Sequence, residues 1–176
     1  ARAMRILLTG ATGFVGRALC SRLTERGDHL YALARDPEGA RALLPRDTVV
    51  LDIKAPGALE EAVATTDAVV NLAGESLFSG RWTPERKQRI RDSRVVLTRA
   101  LVDAAGLAPT PPRVFVSASA VGYYGDRGEE MLGEDASPGD DFLATLCLEW
   151  EQAARRIEAL GTRCVTLRTG VVIGAG

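Results

Sequence analysis

Histidine and cysteine are scarce in this 176-residue chain, and each scarcity removes a chemistry. A single histidine, His29, makes a Ser-His-Asp triad or a histidine-rich metal site hard to build. Cys20, Cys147 and Cys164 are odd in number and far apart, which argues against a disulfide framework and a cysteine-rich zinc site. No apolar run approaches the roughly 20 residues of a membrane helix. No signal-like stretch precedes Met4, which leads directly into a short strand-like run. A net charge of −1 gives no electrostatic case for nucleic acid or an anionic membrane. A cytoplasmic protein is the plain reading.

What is present is a length and an apolar fraction of 46% that suit one domain with a sizeable core. Strand-like and helix-like segments alternate from end to end, without repeats or linkers. Short β runs stand at Arg5–Leu8, Leu30–Ala34, Thr48–Leu51, Asp67–Ala73, Val114–Ser117 and Val165–Arg168. Helical patterns fall at about 15–27, 38–44, 59–63, 84–105 and 141–160, with Ile90, Leu97 and Leu101 facing inward on the fourth. This alternation predicts an α/β fold: a doubly wound parallel sheet of the Rossmann type, six or more strands flanked by helices. Ligands of such sheets bind outside the carboxyl ends of the strands, so the strand exits are the positions to read.

The first exit carries Gly10, Gly13 and Gly16, a G-x-x-G-x-x-G spacing between a strand and a helix. Glycines there permit a tight turn, close backbone approach to phosphate and close helix–strand packing. A pyrophosphate would then meet unpaired N–H groups at the helix N-terminus. The segment Thr9, Gly10, Ala11, Thr12, Gly13, Phe14, Val15, Gly16 is therefore expected to hold a dinucleotide. The second exit discriminates between cofactors. The slot where an NAD enzyme places an acid on the ribose holds Ala34, with Arg35 beside it. An arginine can pair with a 2′-phosphate and stack on adenine. Arg17 could reach the same phosphate, and a one-residue shift would make Asp36 a ribose ligand. NADP is the expected cofactor, with NAD as the alternative.

These residues resemble the extended short-chain dehydrogenase/reductases, in particular the NAD-dependent epimerase/dehydratase group. The likeness rests on the glycine loop, Asp52-Ile53, Asn71-Leu72-Ala73-Gly74, Ser117-Ala118-Ser119, Tyr123-Tyr124-Gly125 and Leu167-Arg168, which follow one another across nearly the whole chain. Gly80-Arg81-Trp82-Thr83, Ser93-Arg94, Asp141-Phe142-Leu143 and Trp150-Glu151 are similar to an atypical, sugar-nucleotide-epimerase-like branch. The resemblance implies that Asp52 meets the adenine, that Asn71 to Gly74 line the adenine-ribose side, and that Ser117 and Ser119 face the nicotinamide. It also implies a small C-terminal substrate domain. Residues 1–176 then read as the dinucleotide-binding domain, and the ending Val171–Gly176 reads as the edge of a fragment.

One expected feature is missing. The resemblance implies a Tyr-x-x-x-Lys acid/base pair on the helix after the fifth strand, but Lys54 and Lys87 are the only lysines, and Val50 and Thr83 stand four residues before them. Aligning Glu151 with the family's following acid puts Leu143 and Cys147 in the two slots. Leucine carries no proton, and a thiol among apolar neighbours stays neutral. Ser119, Tyr123 and Tyr124 are the candidate catalytic groups in its place; Glu75 is a further candidate base. The run Arg81–Arg94 holds six basic and two acidic residues, to be read as a solvated helix face or as a site for a phosphate-bearing substrate near Arg81 and Trp82. Function stays open between two readings. One is the cofactor half of an epimerase/dehydratase or reductase acting on a small, nucleotide-sugar-like substrate; the other is a non-catalytic NADP(H)-binding sensor or scaffold. A homodimer is also left open.

Overall fold

The computed structural model describes residues 2–78 and 80–174. The expected ending Val171–Gly176 is thus seen through Gly174, and Ala175 and Gly176 lie outside the described residues. Six parallel strands, β1 (Arg5–Thr9), β2 (His29–Ala34), β3 (Val49–Asp52), β4 (Ala68–Asn71), β5 (Val114–Ala120) and β6 (Arg163–Thr169), pair in the order β3-β2-β1-β4-β5-β6. The winding reverses between β1 and β4, where Thr9 sits opposite Asn71. This is the doubly wound Rossmann sheet that the alternation predicts.

Period-two patterning explains the layers. Ile6, Leu8, Leu30 and Ala32 point to one face, where Cys20 and Leu23 of α1 (Phe14–Glu25) and Ala40 of α2 (Pro37–Leu43) cover them. Leu7, Leu33, Val69 and Phe115 point to the other, under Val63 of α3 (Ala58–Thr65) and Leu101 and Ala105 of α5 (Leu97–Leu107). Burial of a side chain such as Phe115, at 0% exposure, contributes about 1.5–3 kcal/mol. The last helix, α6 (Phe142–Arg155), runs into a 3₁₀ turn at Arg156–Leu160.

Two elements differ from expectation. The helix expected at about 84–105 is α4 (Pro84–Arg91) and α5 joined by a π-helical turn, Asp92–Val96. β5 runs three residues past the expected end at Ser117, because Ala118, Ser119 and Ala120 pair with Leu167, Arg168 and Thr169 of β6. A Ser-Ala-Ser-Ala sequence has little strand propensity of its own; pairing with β6 supplies what the sequence does not.

Candidate functional site

The three loop glycines each answer to a different constraint. Gly10 has φ +69° and packs against the β4 exit, where a Cβ would lie 2.7 Å from the Leu72 carbonyl carbon. Gly16 lets α1 approach the loop; a Cβ there would be 2.2 Å from Gly10 O. Gly13, with φ −72°, needs no unusual conformation. A Cβ on it would meet only Gly10 O, at 3.2 Å, so the space beyond it is open. α2, α4 and α6 are each capped by a side chain, from Asp36, Thr83 and Asp141, whereas the first turn of α1 has no side-chain acceptor. Its N–H groups are left for an anion.

A cavity of about 820 Å³ opens at this point. Thr9, Gly10, Thr12 and Gly13 form its floor; Leu33 to Asp36, Gly39, Ala40 and Leu43 form one wall, and Leu72 to Glu75, Ser93 and Leu97 the other. The expected residues Thr9, Gly10, Thr12, Gly13, Arg35, Leu72, Ala73 and Gly74 are thereby brought together. Phe14 and Val15 begin α1 with exposed side chains outside this lining. Ile53 lines the cavity, while the carboxylate of its neighbour Asp52 accepts from Lys54 N at 2.9 Å. The Asp36 carboxylate accepts from Gly39 N at 3.1 Å, which engages it as the α2 cap. Arg35 is exposed at the mouth, and the buried Nε of Arg17 has no hydrogen-bond partner among the described residues. The shape and donors could hold a dinucleotide, with an anion over Gly13 and one end at Arg35.

Behind the floor, Thr9 Oγ donates to Asn71 Oδ1 at 2.6 Å, and Asn71 Nδ2 donates to Thr98 Oγ at 2.8 Å. Trp150 Nε1 donates to the same Thr98 oxygen at 2.9 Å. Asn71 is fully buried and latches β1, β4, α5 and α6 together from behind. Ser117 is also fully buried and donates to Ala118 O.

Ser119 lies inside β5 rather than at its exit, only 3% exposed. Its hydroxyl donates to Glu151 Oε1 at 2.7 Å. Arg168 clasps the same carboxylate with two hydrogen bonds, of 2.8 and 2.9 Å, and donates through Nη1 to the Tyr124 hydroxyl at 2.9 Å. The guanidinium also sits 3.5 Å from the centre of the Tyr123 ring, which is nearly buried. Burial works to raise the Glu151 pKa, but the hydrogen bonds from Arg168 and Ser119 and the charge of Arg168 outweigh it and hold the carboxyl below its ordinary range. Cys147 behaves as expected: burial pushes its thiol up, so it stays neutral.

The basic run does not form a simple solvated face. Arg86 is buried and donates to Ser76 O at 2.7 Å; Arg94 donates to Glu75 O at 3.0 Å. Both hold the β4 exit loop. Arg89 lies 3.5 Å from the Glu75 carboxylate, and Arg91 pairs with Glu149 at 2.6 Å. Trp82 packs edge-on against Phe142, with Lys87 5.0 Å over that ring. Arg86, Ile90 and Arg94 recur at i, i+4 and i+8 around a fully buried isoleucine, a spacing that could have exposed their inward direction.

Comparisons with known proteins identify relatives of this fold. The chain is 38% identical over 173 residues to the epimerase family protein YfhF of Bacillus subtilis, covering 97% of this chain and 56% of that protein. It is 36% identical over 176 residues to the human epimerase family protein SDR39U1, covering 98% of this chain and 56% of that protein. The chain thus spans about half the length of the curated relatives it matches. A crystal structure of human SDR39U1 (isoform 2) with NADPH superposes with a TM-score of 0.79 at 33% identity, over 98% of this chain and 56% of that one. A family model for the NAD dependent epimerase/dehydratase family matches residues 6–176, and the chain belongs to that family.

Proposed function

We propose that residues 1–176 form the NADP(H)-binding domain of an epimerase/dehydratase-type oxidoreductase acting on a small, nucleotide-sugar-like substrate. The observation that carries this reading is the cavity, with Gly13 open to it at the uncapped start of α1 and Arg35 at its far mouth. The NADPH in the human relative's structure supports the choice of cofactor. Thr9, Gly10, Thr12, Gly13, Leu72, Ala73 and Gly74 would line the bound dinucleotide, and Gly16, Asn71 and Ser117 would shape that lining from behind. Phe14, Val15 and Asp52 would flank it.

The bound nicotinamide supplies hydride transfer. Proton handling falls to the hydroxyls of Ser119, near the end of β5, and of Tyr123 and Tyr124 just after it. Tyr124 is the best positioned, because Arg168 Nη1 donates to its oxygen at 2.9 Å and fixes where the hydroxyl sits. A second reading, a cofactor-binding sensor or scaffold without turnover, is favoured by one observation: no tyrosine stands four residues before Lys54 or Lys87, and burial pushes up the thiol of Cys147, which the resemblance sets in the lysine slot.

Titration with NADPH and NADH tests the cofactor assignment. NADPH should bind more tightly, and Arg35→Ala should remove most of that preference, about 1–3 kcal/mol for a charge-assisted pair. Equal affinity of the unaltered protein for both nucleotides defeats it. A substrate screen monitoring NADPH oxidation then separates the enzyme from the sensor.

A further inference from the structure

Arg94 is a part-buried cation that no carboxylate pairs with among the described residues. The π-helical turn Asp92–Val96 inserts extra backbone into the α4–α5 helix, and such turns gather at functional sites. Here Ser93 and Arg94 meet the β4 exit loop. Ser93 Oγ accepts from Glu75 N at 2.9 Å and donates to Ile90 O at 2.8 Å. The Arg94 guanidinium donates to Glu75 O, Ile90 O and Ser93 Oγ, all neutral acceptors, and lies 5.4 Å from the centre of the Trp150 ring. Gly74 makes room for it: a Cβ there would be 2.7 Å from Arg94 Cζ.

Among the described residues, no carboxylate oxygen comes within 4.0 Å of a guanidinium nitrogen of Arg94. Glu75 acts on it only at longer range and is engaged by Arg89 instead. Burial lowers the affinity of Arg94 for its proton, yet an arginine keeps that proton in a folded protein. Drawing a charge partly out of water has a free-energy cost, and the three acceptors that meet Arg94 are neutral.

Position says what the charge acts on. Glu75 and Ser93 line the cavity on the β4 side, across the glycine loop from Arg35 on the β2 side. With Leu72 to Gly74 on the adenine-ribose side, a dinucleotide with its 2′-phosphate at Arg35 and its pyrophosphate over Gly13 would run on past Gly74, toward Glu75 and Ser93, with its second nucleoside. The ring of that nucleoside is cationic when oxidised and neutral when reduced.

We propose that Arg94 is a specificity-determining residue: its fixed positive charge behind Gly74 and Glu75 disfavours NADP⁺ relative to NADPH, and so biases the site toward the reduced cofactor. This rests on the NADP(H) reading above. It also explains how the cofactor end of the site keeps a permanent cation although Cys147, not lysine, stands on α6.

Isothermal titration of NADPH and NADP⁺ into the unaltered protein, Arg94→Met, Arg94→Gln, Arg94→Lys and Arg35→Ala tests the inference, with circular dichroism to establish folding. The unaltered protein should favour NADPH. Arg94→Met should shrink the ratio of the two dissociation constants severalfold, because a fixed unit charge in a site of reduced effective dielectric acts on a second charge well beyond contact distance. Arg94→Lys should retain the ratio. Arg94→Gln, which keeps amide donors to the loop, should lose it, and serves should the methionine variant not fold. Arg35→Ala should weaken both forms together. Equal weakening of both forms by Arg94→Met and Arg94→Gln makes Arg94 a loop support only and overturns the inference, as does an unchanged ratio. An unaltered protein that binds neither nucleotide overturns this inference and the NADP(H) reading together. Binding with a ratio indifferent to Arg94 overturns the inference alone.

Discussion

Gly13 and Gly16 are three residues apart and are glycines for different reasons. A side chain at Gly16 would enter backbone, with Gly10 O only 2.2 Å from its Cβ, so the first turn of α1 would have to leave the sheet. Gly16→Ala should therefore lower the melting temperature, because overpacking of this kind costs about 1–3 kcal/mol. A side chain at Gly13 would enter the cavity and touch little protein. Gly13→Val should melt within a few degrees of the unaltered protein yet bind neither nucleotide measurably. Thermal melts and titrations on the two variants check the contrast; undiminished binding by a folded Gly13→Val protein removes the glycine loop from the site. The packing role of Gly16 was legible in the sequence, since spacing between a strand and a helix assigns it, and the same spacing gives Gly13 the role proposed for it. Arg94 was not legible as a cofactor determinant. A charged residue on a helix is ordinarily solvated, and only the shared face of Arg86, Ile90 and Arg94 gives a contrary sign.

At the scale of elements, the six parallel strands followed from alternation of apolar runs, while the full length of β5 and the π-helical turn did not. Strand pairing lengthened β5 by Ala118, Ser119 and Ala120, and this moved Ser119 from an expected loop into the interior. There it joins Glu151 and Arg168, which stitch α6 to β5 and β6. The side chains of the pair are 4% and 16% exposed, so removing one partner leaves the other charged and buried. Glu151→Ala should cost about 3–5 kcal/mol. Because its folded pKa lies below the ordinary glutamate value, the stabilisation from Glu151 is complete above that ordinary value, about 4.3, and is lost as pH falls through the depressed one. Denaturant melts of the unaltered protein and Glu151→Gln should converge as the pH is lowered below about 4. A gap between them that widens in acid contradicts the assignment of that carboxylate as the ionised partner of Arg168.

The fold brings the hydroxyls of Ser119, Tyr123 and Tyr124 to the end of β5 and keeps its two lysines on other elements. Lys54 is exposed just after β3, where its backbone N–H serves the Asp52 carboxylate. Lys87 lies on α4 with its ammonium over the Phe142 ring, a contact that steadies the start of α6. Neither belongs to the elements around the tyrosines after β5, whereas Arg168 donates to the Tyr124 hydroxyl directly. If the protein turns over a substrate, Lys54→Ala and Lys87→Ala should each leave cofactor affinity and turnover within a few-fold of the unaltered protein. Tyr124→Phe should lower turnover by about 10²–10⁴-fold, the usual contribution of a general acid or base, with NADPH affinity retained. Ser119→Ala should act less simply, since it strips a hydrogen bond from the buried Glu151 and should lower both stability and rate. Steady-state kinetics beside cofactor titration keep these effects apart. Turnover that survives Ser119→Ala, Tyr123→Phe and Tyr124→Phe takes the acid/base away from the β5 exit altogether. Loss of turnover in a folded, cofactor-bound Lys87→Ala protein instead moves the chemistry to the α4 face, beside Trp82 and Phe142, and makes that aromatic pair the floor of the substrate site.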